Sequence, residues 1–331
     1  MGDPLVWVRF LHFAATVSLS GVVIFQAWVG APALAAGGAD AATVRLIAGR
    51  LARLAWASFA LAVLTGAAAL MAQAASMGER PLSDLWSDGL LTTVLLDTDF
   101  GHVWLVRFAV IVLLAAALRP PYFGAPAPAW RRGVALVLAV AFVAALAFAG
   151  HAAAGDGTEG VIHEAADVLH LVAAATWVGA LVPLAIVLAV ARDDGGSSSL
   201  AIASTATLRF STLGIASVGT VLATGIVNTY ELTGSAAALF GTGYGRLLLV
   251  KIALFLAMLA IAAVNRTWLT PRLVAGGAAA GPALQQLRTN ALIEAVIGAL
   301  ILFIVAWLGT LPPGREDVSA AVAANLLMTS S

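Results

Sequence analysis

The sequence predicts an all-α integral membrane protein with eight transmembrane helices, built as two tandem four-helix repeats. The chain has 331 residues, of which 61% are hydrophobic and only 10% are charged, whereas a soluble domain carries about 25% charged residues. A membrane-spanning helix needs roughly 20 apolar residues. Eight apolar runs are close to that length or longer, near residues 5–34, 46–76, 100–118, 132–152, 162–191, 204–232, 244–266 and 288–311.

The distribution of charge predicts the orientation of these helices. Placing the loops after the first, third, fifth and seventh helices in the cytoplasm puts most of the basic residues inside, as the positive-inside rule requires. Most of the acids, and both termini, then lie on the outer side. The inner basic residues are Arg45, Arg50, Arg53, Arg119, Arg131, Arg132, Arg192, Arg209, Arg266, Arg272 and Arg288.

The longest outer loop, residues 77–99, has leucines and a tryptophan spaced to cover one face of a short helix. We expect this helix to lie along the membrane surface. No loop is long enough to form a separate soluble domain.

Three pairs of segments, one member in each half of the chain, correspond in the same order. The pairs are Leu11-His12 with Leu169-His170, whose histidines are each followed nine residues later by a glycine; ASFALAVLTG from residue 57 with ASVGTVLATG from residue 216; and TDFGHVWLVRFA from residue 98 with TGYGRLLLVKIA from residue 242. Such self-similarity at matching positions predicts a duplication.

Two repeats of four helices share one orientation, so a pseudo-twofold axis along the membrane normal should relate them. This axis would place His12 and His170 at the same depth and pair Arg107 with Lys251. We divide the chain into residues 1–132, with the first three helices of repeat one, and residues 133–331. The second part holds the fourth helix, which continues to about residue 152, and the second repeat of helices five to eight.

The chemistry that stands out is a set of possible metal ligands on the outer side. The chain has no cysteine, which excludes disulfides and thiolate metal sites. Thioethers select Cu(I), and imidazole suits copper or zinc, so histidines and methionines beside outer acids favour copper. The candidate metal ligands are His12, His170, His163, His151, His102, Asp167, Met71 and Met77.

The fifth predicted helix carries His163, Asp167 and His170 at spacings of four and three residues, which places them on one face. The two histidines lie about 10.5 Å apart along the helix axis at 1.5 Å per residue, too far to share one ion. We therefore expect a path from the surface, with His163 and His151 outermost and His170 deeper beside His12.

Structural roles for the same residues stay open at this point. A histidine at a helix end can be an interfacial residue, Met71 and Met77 can be packing residues, and Asp167 beside Glu164 can complement the helix dipole. Glu294 can be a proton or ion relay, or an acid satisfied by Asn228, Arg266 or another helix. Ionisable groups inside a membrane are nevertheless functional candidates by default.

Several motifs resemble the CopD family of bacterial copper-resistance membrane proteins. They are GHAAAGDG at 150–157, the following HEAADVLHLVAAATWVGALVPL, TGYGRLLLVKIALF, AAVNRTWLTPRL, LRTNALIEAV and LGTLPPG. The resemblance is best over residues 145–313 and weaker over residues 1–118. It implies a multi-pass protein of the bacterial inner (plasma) membrane with eight helices, associated with moving copper from periplasm to cytoplasm; the periplasmic termini follow from the charge distribution. A small periplasmic copper-binding protein of the CopC type is the implied partner, expected here as a separate chain.

The leading functional prediction is therefore a copper-binding protein of copper homeostasis or resistance that is not an enzyme. We expect it to contact the lipid bilayer and not to bind nucleic acid. His151, His163 and His102 would capture copper, as Cu(I) or Cu(II), and pass it to His12 and His170. No Walker A motif, nucleophile elbow or HExxH motif occurs. Two alternatives remain: a haem-binding electron carrier ligated by His12 and His170, and a copper sensor or scaffold that transports nothing.

Overall fold

The computed structural model describes residues 4–36, 38, 40–86, 89–124, 127–149 and 157–315. Most of these residues are helical and none of them lies in a strand, which confirms the all-α class. The described residues form ten α-helices: α1 Pro4–Ala36, α2 Ala41–Met77, α3 Leu90–Asp97, α4 Asp99–Ala117, α5 Ala129–Ala144, α6 Gly157–Asp194, α7 Ser197–Thr233, α8 Ala236–Gly241, α9 Gly243–Ala275 and α10 Gly277–Leu308. Within α1 and α9 the backbone passes through one π-helical turn, Gln26–Gly30 and Asn265–Leu269.

Seven helices of the described part of the chain are long and apolar enough to cross a membrane: α1, α2, α4, α6, α7, α9 and α10. The count of eight is not confirmed, because the run predicted at residues 132–152 forms α5, which has 16 residues and is about 24 Å long. A 3₁₀ turn, Ala147–Ala149, follows it. The loop of residues 77–99 contains a short helix, α3, but the tryptophan and two of the leucines on which its prediction rested precede that helix. Leu82–Asp84 form a 3₁₀ turn, and α3 begins only at Leu90.

The helices α4 and α9 begin with the same local structure. Thr98 and Thr242 are their N-caps, and each hydroxyl accepts from a backbone N–H three residues on, Gly101 N at 3.0 Å and Gly245 N at 2.9 Å. Each hydroxyl also donates back to a carbonyl of the preceding short helix, α3 or α8. A Cβ at either glycine would overlap that short helix, so glycine permits the tight reversal.

Helices α1 and α6 form the centre of the bundle. Their most apolar segments are 61% and 67% buried, against 11% for α7 and α9. The pair crosses at Gly21 and Gly179, where a Cβ on either glycine would overlap the backbone of the other helix. Small residues permit such close approach of helices in membranes. Because His12 and His170 lie nine residues before these glycines, the crossing sets the position of both histidines.

Candidate functional site

The imidazole of His12 is buried and has a partner at both nitrogens. Arg107 Nη2 donates to His12 Nε2 at 2.8 Å, and His12 Nδ1 lies 3.2 Å from Thr65 Oγ1. The Thr65 hydroxyl itself donates to the Leu61 carbonyl at 2.6 Å. Since arginine only donates, Nε2 is unprotonated and Nδ1 carries the hydrogen. His12 is therefore a neutral imidazole whose free lone pair is already used by Arg107.

Arg107 is held firmly in this position. It is 1% exposed, and its Nη1 donates to the Phe142 carbonyl at 3.0 Å. Its guanidinium also lies over the rings of Trp104 and Phe142, 5.4 and 4.8 Å from their centroids. A copper ion could bind His12 Nε2 only if this buried cation moved away.

His170 has the same threonine partner but lacks the arginine. Its Nδ1 lies 3.0 Å from Thr224 Oγ1, whose hydroxyl donates to the Thr220 carbonyl at 2.6 Å. Nδ1 therefore carries the hydrogen, as in His12. Among the residues that the structure describes, no hydrogen bond reaches His170 Nε2, and the side chain lines a cavity of about 630 Å³. The imidazole thus presents an unused lone pair to this cavity.

The surroundings of His170, which we call the C-terminal centre, contain a lysine and an acid. Lys251, which the sequence pairs with Arg107, lies close enough to Asp167 and His170 for electrostatic interaction. Asp167 accepts a hydrogen bond from Asn228 Nδ2 at 3.2 Å. The surroundings of Lys251 therefore include the Asp167 carboxyl group.

Two cavities follow one another along the C-terminal half. The 630 Å³ cavity is lined by His170, Lys251 and Met258, and a second cavity of about 390 Å³ is lined by Asn265 and Glu294. Both have Trp177 and Leu222 in their walls. The possible ligands of this half are thus distributed over both cavities rather than gathered at the outer face.

Glu294 is 1% exposed, and the structure identifies the side chain that hydrogen-bonds to it, which the sequence alone does not specify. Asn265 Nδ2 donates to Glu294 Oε1 at 2.8 Å. Behind it, Asn290 donates to Asn265 at 2.6 Å and Gln286 donates to Asn290 at 2.8 Å. The second carboxyl oxygen, Oε2, is buried without a partner in the described structure. One oxygen of Glu294 therefore remains able to bind a proton or a cation.

The remaining predicted ligands do not join either histidine. His102 is exposed, and its Nε2 donates to the Leu96 carbonyl at 2.9 Å. Met71 packs on a small apolar cluster with Leu85 and Val94, and Met77 is 48% exposed. His163 is partly buried near the start of α6, and His151 lies outside the described residues.

No group of three or more metal-binding side chains occurs among the residues for which side chains are described. His12 contacts side chains of α2 and α4, whereas His170 contacts α7 and lies near α9. Among the described residues, the predicted ligands therefore do not gather in one site, and His12 and His170 have different neighbours.

Sequence reasoning missed the threonines and gave Met258 little weight. Thr65 and Thr224 occupy matching positions in the two runs that end in Thr-Gly, so the internal correspondence contained the signal. The contact between Arg107 and His12 joins residues 95 positions apart, and no local pattern predicts it.

Comparison with known sequences identifies the family. Residues 204–308 match the family described as Copper resistance protein D, and residues 1–161 match the Copper resistance protein D-like N-terminal domain. Copper resistance protein D of Pseudomonas syringae pv. tomato is 30% identical over 325 residues, which cover 96% of this chain and 99% of that protein. The chain belongs to the CopD family.

Other relatives extend this result. Inner membrane protein YebZ of Escherichia coli (strain K12) is 30% identical over 311 residues, 93% of this chain and 98% of that protein. Copper transport protein CutJ of Bacillus subtilis (strain 168) is 31% identical over 188 residues, 54% of this chain and 32% of its own length. With its apolar helices, this CopD-family member is a multi-pass protein of the bacterial inner membrane, as the resemblance implied.

Proposed function

We propose that this CopD-family protein carries copper from the periplasm toward the cytoplasm through its C-terminal half. The observation that carries the proposal is the 630 Å³ cavity, which is lined by both His170 and Met258. Imidazole with thioether is a ligand set that favours copper over harder ions. His170 Nε2 is available there, whereas His12 Nε2 is engaged by Arg107.

The proposed path follows α6 inward. Copper first meets His163 and Asp167 near the outer end of the helix, then His170 and Met258 in the larger cavity. It then passes the wall formed by Trp177 and Leu222 to reach Glu294 and Asn265, whose oxygens complete the inner end. This order supplies the inner ligands that a path based on outer histidines alone would lack.

The proposed topology has two repeats and periplasmic termini. Matching hydrogen bonds at His12–Thr65 and His170–Thr224, and matching caps at Thr98 and Thr242, support the duplication. Helix α5 with the turn after it would supply the eighth crossing. We propose further that the protein is a carrier rather than an enzyme, and that a separate periplasmic CopC-like protein delivers the copper.

A haem site ligated jointly by His12 and His170 receives no support from the geometry. His12 Nε2 accepts from Arg107, and the neighbours of the two histidines belong to different helices. An absorbance scan of the purified protein tests this directly, since bis-imidazole haem would give a Soret band that is lost in His170→Ala.

The test of the proposal is Cu(I) binding by the purified protein, measured by competition with a chromophoric chelator, together with copper uptake into proteoliposomes. His170→Ala should weaken Cu(I) binding at least about 30-fold, and Met258→Leu about tenfold, since each tenfold change is 1.4 kcal/mol of lost ligation. His12→Ala is the matched control and should leave the affinity within about threefold. Loss of binding in His12→Ala alone would place the copper in the other half and refute the proposal.

A further inference from the structure

The N-terminal half contains a third cavity, of about 320 Å³, and its chemistry is opposite to that of a cation site. Its charged or polar side chains are Arg9, His12, Gln73 and Arg107, joined by the indole of Trp104. No aspartate or glutamate is among the described residues that line it. Since His12 is neutral, two guanidinium groups face this cavity without an acid.

Three buried donors around this cavity have no hydrogen-bond partner in the described structure. They are Arg9 Nε, Trp104 Nε1 and Arg107 Nε, and the side chains of Trp104 and Arg107 are only 6% and 1% exposed. A buried donor left unsatisfied is destabilising, and more so when it is charged. Such groups in native proteins require an explanation, for example an ion or water at the site.

The contacts of the two arginines do not neutralise their charge. Arg107 donates to the Phe142 carbonyl and to neutral His12, and lies over two aromatic rings. Arg9 lies 5.8 Å from the ring centroid of Phe13. Within a membrane protein, unpaired cations are costly and normally have a partner. The planar guanidinium matches carboxylates and other oxyanions especially well.

We propose that this cavity binds a small anion, a halide or a carboxylate, between Arg9 and Arg107 with Trp104 as an additional donor. A water molecule occupies about 30 Å³ of liquid, so the cavity has room for such an anion with water. The first residues of the lining belong to the start of α1, and Gly309 follows the end of α10, so the cavity lies at the end of the bundle that the charge distribution places outside. A copper cation is electrostatically disfavoured here.

Chloride binding to the purified full-length protein tests this proposal. The measurement is ³⁵Cl NMR line broadening in a buffer whose other anion is the bulky sulfonate HEPES, with acetate added as a competitor. We expect saturable broadening that acetate reverses, and at least a tenfold loss of affinity in Arg9→Gln. Arg246→Gln, which changes an exposed arginine outside the cavity, is the matched control and should bind chloride as the wild type does.

Arg107→Lys is the second variant, because it keeps the charge of a buried residue whose removal could prevent folding. It should retain weakened binding, and size-exclusion chromatography checks that both variants are folded. Unchanged broadening in Arg9→Gln would place the chloride elsewhere and overturn the proposal.

The chain itself offers another source of carboxylate in Glu316 and Asp317, which lie outside the described residues. The double variant Glu316→Gln/Asp317→Asn separates this source from a free anion. Broadening that is absent in the wild type and appears only in this variant would show that the chain fills its own cavity, against the proposal. Broadening in neither protein would also refute it.

Discussion

The two histidine centres are built alike and differ in charge. In each, a histidine of a central helix donates from Nδ1 to a threonine whose hydroxyl donates to a carbonyl four residues back. In the N-terminal centre, Arg107 then occupies the other imidazole nitrogen, and no acid is among the described residues that line the cavity. In the C-terminal centre, Asp167 lies near Lys251, and His170 Nε2 remains available. A shared framework can therefore favour an anion in one half and a cation in the other.

The largest effect should come from the crossing that positions both centres. In Gly21→Ala and Gly179→Ala, the added Cβ overlaps the partner backbone, so we expect each variant to lose roughly 3 kcal/mol of stability, the upper end of ordinary overpacking. Thermal inactivation, followed by fluorescence-detected size-exclusion chromatography, measures it. Gly49→Ala is the control, because a Cβ there has no neighbour within 4 Å. Equal thermal stability of all three variants would show that the helices do not pack this closely.

Removing the acid from the C-terminal centre should make it resemble the N-terminal one. In Asp167→Asn, Lys251 loses its neighbouring carboxylate, and the positive charge near His170 then opposes copper. We expect Cu(I) affinity to fall about tenfold, or 1.4 kcal/mol, in the chelator competition assay. Asp99→Asn changes an acid at the start of α4 and should have less than a twofold effect. An unchanged affinity in Asp167→Asn would mean that the two centres do not differ through charge.

The reverse conversion should add a weak copper site to the N-terminal centre. In Arg107→Met, His12 Nε2 loses its donor and gains a neighbouring thioether, so the N-terminal centre acquires a copper-type ligand pair. We expect a second, weaker Cu(I) equivalent per chain, about tenfold weaker than the first, which is 1.4 kcal/mol. Metal analysis after chelator titration measures the stoichiometry, and Arg107→Met/His12→Ala is the control that should return to one equivalent. One equivalent in both proteins would show that Arg107 is not what keeps copper from His12.

Much of the fold could be predicted because its determinants are local. Seven of the eight apolar runs form long helices in the described chain. The short helix of the loop at residues 77–99 begins later than its leucine spacing predicts, at Leu90. The fourth run does not form a full-length helix. Its helix ends at Ala144, although the sequence remains apolar beyond that residue. Hydropathy measures preference for lipid and does not report where backbone hydrogen bonding stops.

The candidate site could be predicted only in part. His170 and Asp167 were identified from their spacing on one helix face, and both lie in the centre proposed for copper. Glu294 was recognised as unusual, but its partner Asn265 lies on a different helix, 29 residues away. The sequence offers Met71 as a candidate ligand, and in the structure it packs on apolar side chains. A methionine suits either role, and only its neighbours distinguish them.

The sequence by itself determined the membrane class, the approximate spans, the matching histidines and glycines of the two halves, and the CopD family. These follow from composition, from the helical period and from identical residues at equal spacing, all of which are properties of the chain alone. Tertiary structure decided that Arg107 binds His12 while His170 remains available. That difference depends on how α4 and α9 pack beside the central helices, and such packing joins residues far apart in the chain whose side chains are brought within about 3 Å.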